Sequence, residues 1–146
     1  MATPGPEQRR LDAFIGRWIT EGQTLGGSEA PTAEIVSSDV YEWMPGGFFV
    51  CHTVHGRIGN AEASGTEIIG YDPSSESYRA YYFDNQGNVS EHKLTFHDGV
   101  WMWQGETTRA TAVFSEDGKT LPTRHERSDD SVNWVPSMDV KLTKIE

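Results

Sequence analysis

Residues Leu11–Thr24 have the sequence LDAFIGRWITEGQT. Apolar residues recur at helical spacing up to Ile15, and Gly16 can end a helix there because it carries no Cβ. A tryptophan two residues further on, at the start of a strand, is a common beginning for a closed antiparallel barrel. We therefore expect a short helix of about two turns across one end of such a barrel, with the Trp18 indole plugging that end.

After Trp18 the chain consists of strand-like segments separated by turn residues, at the roughly 8–12-residue spacing of all-β proteins. Asp98-Gly99 is the strongest hairpin signal. The turns are too short for the crossovers of a parallel sheet, and closure would remove both exposed sheet edges. The sequence predicts an all-β fold: one up-and-down antiparallel barrel of about ten strands. The predicted strands, with a loop at Gly26–Pro31 between the first two, are Arg17–Leu25, Ala33–Met44, Phe48–Ile58, Glu62–Tyr71, Ser77–Asp84, Val89–His97, Val100–Glu106, Arg109–Ser115, Lys119–Arg127 and Val132–Ile145.

The length of 146 residues fits one domain. We expect residues 1–10 to be a flexible tail and the start of the helix, and residues 11–146 to be the barrel domain. The net charge of −10 disfavours nucleic acid and anionic membranes as partners. No apolar run is long enough for a membrane span, no signal-peptide core is present, and Cys51 is the single cysteine. These features predict a cytoplasmic protein.

Four segments, in order over nearly the whole chain, carry a family resemblance. They are Leu11–Gly22, Met44–Phe49, Gly65–Pro73 and the ending Glu126-Arg127-Ser128 with Trp134 and Leu142-Thr143. The first resembles the opening of calycin-like barrels, the grouping of lipocalins, fatty-acid-binding proteins and nitrobindins. The other three resemble a bacterial family of small calycin-like proteins of unknown function. The resemblance implies an interior pocket for a small, largely apolar molecule, and it implies no particular activity.

Three histidines are the main candidates for chemistry inside the barrel. Side chains alternate between the two faces of a strand, which places His52, His92 and His125 on inner faces. Each could be paired with a neighbouring hydroxyl or water, could bind the polar end of a ligand, or could serve a metal or catalysis. His52 and His55 point to opposite faces, so we expect no metal site. Nitrobindin-like barrels bind haem through a histidine near the C-terminus, which this chain lacks; we expect no cofactor, with haem as the less favoured alternative.

Aromatic side chains and one carboxylate complete the candidate ligand-binding residues. Trp101 and Trp103 share a face and would form one wall of a pocket with His92. Glu67 shares a face with Ile69 and could carry a proton, although an outward position on the solvent face is the favoured interpretation. Tyr82 belongs to the candidates too, on a strand whose faces the sequence does not separate.

The predicted function is a small-molecule-binding barrel that holds an apolar or aromatic ligand. The alternative is a cofactor-independent enzyme of isomerase, cyclase or hydratase type, which acts on a hydrophobic metabolite with a histidine or Glu67 as proton carrier. Whether there is turnover stays open. The outward residues Phe49, Tyr81 and Phe83 could form an apolar patch that makes a homodimer, which is compatible with either function.

Overall fold

The computed structural model describes residues 2–25 and 32–146, so the predicted loop at Gly26–Pro31 lies outside the described residues. A short helix α1 (Pro6–Arg10) continues into a 3₁₀ turn (Leu11–Phe14). The strands are β1 (Gly16–Thr24), β2 (Glu34–Trp43), β3 (Phe49–Ile58), β4 (Ala61–Glu62), β5 (Gly65–Asp72), β6 (Ser77–Asp84), β7 (Val89–His97), β8 (Val100–Gln104), β9 (Thr108–Ala112), β10 (Thr120–Arg127) and β11 (Val135–Lys144).

The strands form one closed antiparallel barrel. Ten of them pair in chain order, and β11 pairs back with β1 to close the sheet. The two-residue β4 pairs only with the end of β3 and extends one hairpin beyond the barrel. The predicted fold class, an up-and-down barrel of about ten strands with a short N-terminal helix, is therefore confirmed.

Turn chemistry explains where the strands end. Asp98 and Gly99 have φ angles of 51° and 81°, the two positive values that a type I′ hairpin turn requires. The last strand was expected from Val132 but begins at Val135. The Asp130 carboxylate accepts hydrogen bonds from the backbone N–H groups of Val132 and Asn133, which holds those residues in a turn.

The helical segment closes one end of the barrel. The helix begins at Pro6, and the 3₁₀ turn buries Leu11 and Phe14 completely. Trp18 is fully buried below them, and its indole N–H donates a 2.8 Å hydrogen bond to the Phe14 carbonyl. Trp18 therefore fills the closed end, as predicted from its place after Gly16.

Side-chain hydrogen bonds tie the helical segment to the barrel rim. The Trp43 indole N–H donates to Asp12 at 2.8 Å, and the Tyr78 hydroxyl donates to the Glu7 carbonyl at 2.6 Å. Phe14 packs edge-on against Trp101, so aromatic rings fill this half of the interior. In the described part of the chain, no helix is long and apolar enough to cross a membrane.

Candidate ligand-binding site

The half of the barrel away from α1 contains a cavity of about 400 Å³. This volume is within the range of roughly 300–1,000 Å³ that is typical of small-molecule pockets. Apolar side chains such as Ile35, Val54 and Leu142 form much of its wall. The cavity reaches the surface beside Arg57 and Thr108, both at the end of the strands opposite the helix.

Strand register brings four polar and aromatic side chains into one row inside the barrel. Tyr41 on β2 lies opposite His52 on β3. His52 lies opposite Glu67 on β5, and Glu67 lies opposite Tyr82 on β6. Directly opposed residues on one face are close enough for their side chains to touch. The row therefore places one phenol on each side of the His52–Glu67 pair.

His52 is held between two carboxylates. Its Nε2 lies 2.6 Å from Asp39 Oδ2, and its Nδ1 lies 2.8 Å from Glu67 Oε1. A neutral imidazole has one N–H, whereas the imidazolium form donates from both nitrogens. The geometry therefore fits a charged His52 that donates one hydrogen bond to each carboxylate. The Tyr41 ring stacks on the imidazole with a centroid separation of 3.8 Å and an interplanar angle of 10°.

The electrostatics of His52 agree with this assignment. Burial alone would lower the pKa of His52, but the hydrogen bonds and charges of Asp39 and Glu67 outweigh burial and raise the pKa from 6.5 to about 9. Burial also acts on the pKa of Asp39, in the upward direction. The hydrogen bond and charge of His52, with hydrogen bonds from Ser37 and Thr20, outweigh it and lower that pKa. At neutral pH the pair is therefore ionised.

Asp39 has its own set of supporting donors. Its Oδ1 accepts hydrogen bonds from the Thr20 hydroxyl at 2.7 Å and from the Ser37 hydroxyl at 2.6 Å. With His52 on Oδ2, both oxygens of this buried carboxylate are engaged. Buried charges are stable when they are paired and hydrogen-bonded in this way, and a partial set would be costly.

The other two histidines line the facing wall and are neutral at neutral pH. His92 Nε2 lies 2.7 Å from the Thr108 hydroxyl, and burial lowers the pKa of His92. Burial, with a contribution from the nearby His92, lowers the pKa of His125 to about 4. Among the hydrogen bonds of the described residues none involves the His125 ring, whose nitrogens open into the cavity.

The structure brings together six of the seven candidate ligand-binding residues. The residues that line the cavity are His52, Glu67, Tyr82, His92, Trp103 and His125. Trp101 shares the face of Trp103 but lies nearer the helix, where it is 1% exposed and packs on Phe14. It belongs to the core, and its expected place in the cavity wall is wrong.

The favoured outward position of Glu67 is also wrong. Its side chain is only 12% exposed, because Glu67 lies on the inner face of β5 with Ile69 and bonds to His52. On β6 the inner face carries Ala80 and Tyr82, which settles the faces that the sequence left undivided.

Asp39, the second carboxylate on His52, was not among the residues predicted from the sequence. On β2 the inner face carries Ile35, Ser37, Asp39 and Tyr41, and the outer face carries Val36, Ser38, Val40 and Glu42. Each face has two apolar and two polar side chains, so hydrophobic alternation contains no signal that assigns Asp39 to the interior.

Metal ligation in a protein interior requires three or more donor side chains that converge on one point. Across residues 2–25 and 32–146, no group of three or more histidine, cysteine, aspartate or glutamate side chains is placed to hold a metal ion. Both nitrogens of His52 are already engaged by carboxylates.

The sequence of this chain matches one family model. Residues 3–140 match the family described as "Protein of unknown function (DUF1579)". The chain belongs to the DUF1579 family. Among the curated proteins none matches this DUF1579 chain. The predicted resemblance to a family of unknown function is thereby confirmed.

Solved structures share the barrel of this DUF1579 protein at low sequence identity. Rv2717c from M. tuberculosis has a TM-score of 0.69 at 11% identity, with 97% of this chain and 99% of that chain covered. The S-type phycobiliprotein lyase CPES from Guillardia theta has a TM-score of 0.55 at 9% identity, with coverages of 96% and 93%. A de novo designed fluorescence-activating β-barrel has a TM-score of 0.50 at 12% identity, with coverages of 92% and 95%. These likenesses show the fold.

Proposed function

We propose that this DUF1579 protein binds a small, largely apolar molecule inside its barrel. The observation that carries the proposal is the cavity of about 400 Å³, which opens at one end of the barrel. Its wall is mainly apolar by area, with polar groups at His52 and Glu67 on one side and at His125 on the facing side. Largely apolar cavities with a few convergent polar groups are the usual form of small-molecule sites.

The polar groups orient the ligand, and the apolar wall supplies most of the binding free energy. Glu67, Tyr82 and His125 each turn a polar atom to the cavity, and these atoms need partners once water leaves. Trp103 supplies an aromatic surface on the facing wall. The fold itself is used for fluorescence activation in the designed barrel, a fold-level analogy that supports ligand binding in general and no particular ligand.

Binding is tested with the apolar fluorophore N-phenylnaphthylamine. The emission of the probe should rise on addition of the full chain and saturate at one molecule per chain, with quenching of the tryptophan emission. Val54→Trp places an indole in the cavity and should weaken binding at least about tenfold. Thr53→Trp places the same group on the outer face of β3, since neighbouring side chains alternate, and should leave binding unchanged. Absence of saturable binding, or equal loss in both variants, would refute the proposal.

The alternative, a cofactor-independent enzyme that acts on a hydrophobic metabolite in the same cavity, has one observation in its favour. The Glu67 carboxylate and the neutral rings of His92 and His125 face one enclosed space, where a carboxylate can accept a proton and a neutral imidazole can relay one. Native mass spectrometry of the purified chain would identify a resident ligand. Deuterium incorporation into that ligand in D₂O would establish turnover, and unchanged isotopic composition would leave binding alone.

A further inference from the structure

The charges inside the cavity discriminate between ligands by the chemistry of their polar end. Among the described interior residues, only the side chain of His52 is cationic at neutral pH. Both of its N–H groups are already hydrogen-bonded to carboxylates. Asp39 is engaged on both oxygens by Thr20, Ser37 and His52. A ligand therefore finds no free positive group at this cluster.

Glu67 is the member of the cluster with unused capacity. Its Oε1 accepts the hydrogen bond from His52, and its Oε2 has no protein partner among the described residues. A carboxylate oxygen accepts hydrogen bonds and donates none. This oxygen faces the cavity beside Tyr82 and requires a donor when a ligand displaces water.

The two arginines at the mouth are committed elsewhere. Arg57 Nη2 pairs with Glu34 Oε1 at 3.1 Å. Arg109 Nε pairs with Glu126 Oε1 at 2.8 Å, and its guanidinium lies 4.4 Å from the Trp134 ring centroid. Arg57 and Arg109 lie on the strand faces opposite to those of their neighbours Ile58 and Ala110, which line the cavity, so neither guanidinium is directed at the interior cluster. One imidazolium between two carboxylates leaves the interior cluster electronegative.

We propose that the ligand carries a hydrogen-bond-donating polar end, an alcohol or an ammonium group, which donates to Glu67 Oε2, and that carboxylate-ended ligands are rejected. This inference rests on the proposed function, because it names the class of molecule that the same cavity takes. It separates the protein from a carrier of fatty acids, whose head group would bring a third carboxylate to Asp39 and Glu67.

The test uses three competitors with the same alkyl chain: octanol, octylamine and octanoate. Each displaces bound N-phenylnaphthylamine from the full chain near neutral pH. Octanol and octylamine should compete at least about tenfold better than octanoate. Octanoate that competes as well as octanol, or failure of all three against a probe that does bind, would overturn the inference while binding itself stands. Failure of the probe to bind overturns the proposed function instead.

Glu67→Gln provides the matched variant. Glutamine keeps an oxygen for His52 and replaces the free acceptor with an N–H donor. Octanoate should then gain on octylamine by at least about tenfold relative to the native chain. Glu42→Gln makes the same change at an exposed position on the outer face of β2 and should leave the order of the competitors unchanged. Equal effects of the two variants would refute the role of Glu67, and the wild-type ranking stands as a test if Glu67→Gln does not fold.

Discussion

Alkaline pH should destabilise this protein through a single interior residue, His52. Its pKa is raised from 6.5 in the unfolded chain to about 9 in the barrel. Between these two values the unfolded chain has released the proton and the folded chain keeps it. Stability is therefore fully present below pH 6.5 and falls as the pH rises through about 9.

The magnitude follows from the same two values. Each pH unit over which folded and unfolded chains differ by one proton changes the free energy of unfolding by about 1.4 kcal/mol. The rise from 6.5 to about 9 then corresponds to about 3 kcal/mol. This is a large part of the roughly 5–15 kcal/mol that holds a typical domain folded.

The other groups that face His52 do not obscure this window. Burial, with the charges of Glu67 and Asp39, raises the pKa of Tyr41 well above its usual value of 10. Burial, with the charges of Asp84, Glu67 and Asp39, also raises the pKa of Tyr82. Both phenols stay neutral in the folded chain but ionise near pH 10 in the unfolded chain, so they lower stability only as the pH approaches 10, above the window of His52. The pKa of Asp39 is lowered by the hydrogen bond and charge of His52 against the opposing effect of burial.

Urea unfolding followed by tryptophan fluorescence measures the effect. The free energy of unfolding should fall by about 3 kcal/mol between pH 6.5 and about pH 9. His55→Gln, on the outer face of the same strand, should keep this slope. His52→Gln should remove it and cost roughly 3–5 kcal/mol at neutral pH, because two buried carboxylates lose their counter-charge. A native curve that is flat to within about 1 kcal/mol over this range would refute a charged His52.

Three further predictions concern the rest of the interior. Trp18→Ala should lower the free energy of unfolding by roughly 3–5 kcal/mol in urea titrations, because it empties the closed end of the barrel; loss of less than about 1 kcal/mol would contradict its role as the plug. Burial lowers the pKa of His125 from 6.5 to about 4, so between these pH values the unfolded chain binds a proton at His125 and the folded chain does not. The free energy of unfolding should therefore fall by up to about 3 kcal/mol as the pH drops from 6.5 to about 4. His125→Gln should reduce this loss of stability at acid pH, and an unchanged loss would show that other groups cause it. Gly22→Ala should cost roughly 1–3 kcal/mol, because the added methyl would collide with the Asp139 carbonyl and the Val140 backbone on β11; a neutral effect in thermal unfolding would show that β11 shifts freely.

The barrel could be predicted because its signals are local. Asp98-Gly99 has the residues that a type I′ turn demands, and the structure gives both of them positive φ. Trp18 after Gly16 marks the first strand within a few residues. Each hairpin is specified by its own turn, and closure follows from the need to pair the two edges.

The site could be predicted only in part. Alternation placed His52 correctly because Val50 and Val54 flank it on an otherwise apolar face. Alternation could not identify Asp39 as an interior residue, because both faces of its strand carry two apolar and two polar side chains. A carboxylate such as Glu67 inside a barrel contradicts the usual preference of charges for solvent, and its position depends on His52, a partner on another strand.

Side-chain alternation also does not show how far along the barrel axis a residue lies. Trp101 and Trp103 share one face, yet the first packs under Phe14 and the second lines the cavity. Phe14 of the helical segment packs edge-on against both indoles, with ring centroids 5.0 Å from Trp101 and 6.0 Å from Trp103, but of the two only Trp103 also borders the cavity. The placement of the helical segment is a tertiary contact, and no pattern within the strand predicts it.

In the part of the chain that the structure describes, the helical end of the barrel is closed and the cavity opens at the opposite end. Trp18, Trp43 and Tyr78 bond to the helical segment, so the opening that the described residues leave lies beside Arg57 and Thr108. A ligand longer than the cavity would keep one end in solvent, while the inserted end would be shielded by the barrel. With the proposed ligand bound, this shape would leave one half of the molecule accessible to another macromolecule and protect the other half, which a barrel open at both ends would not do.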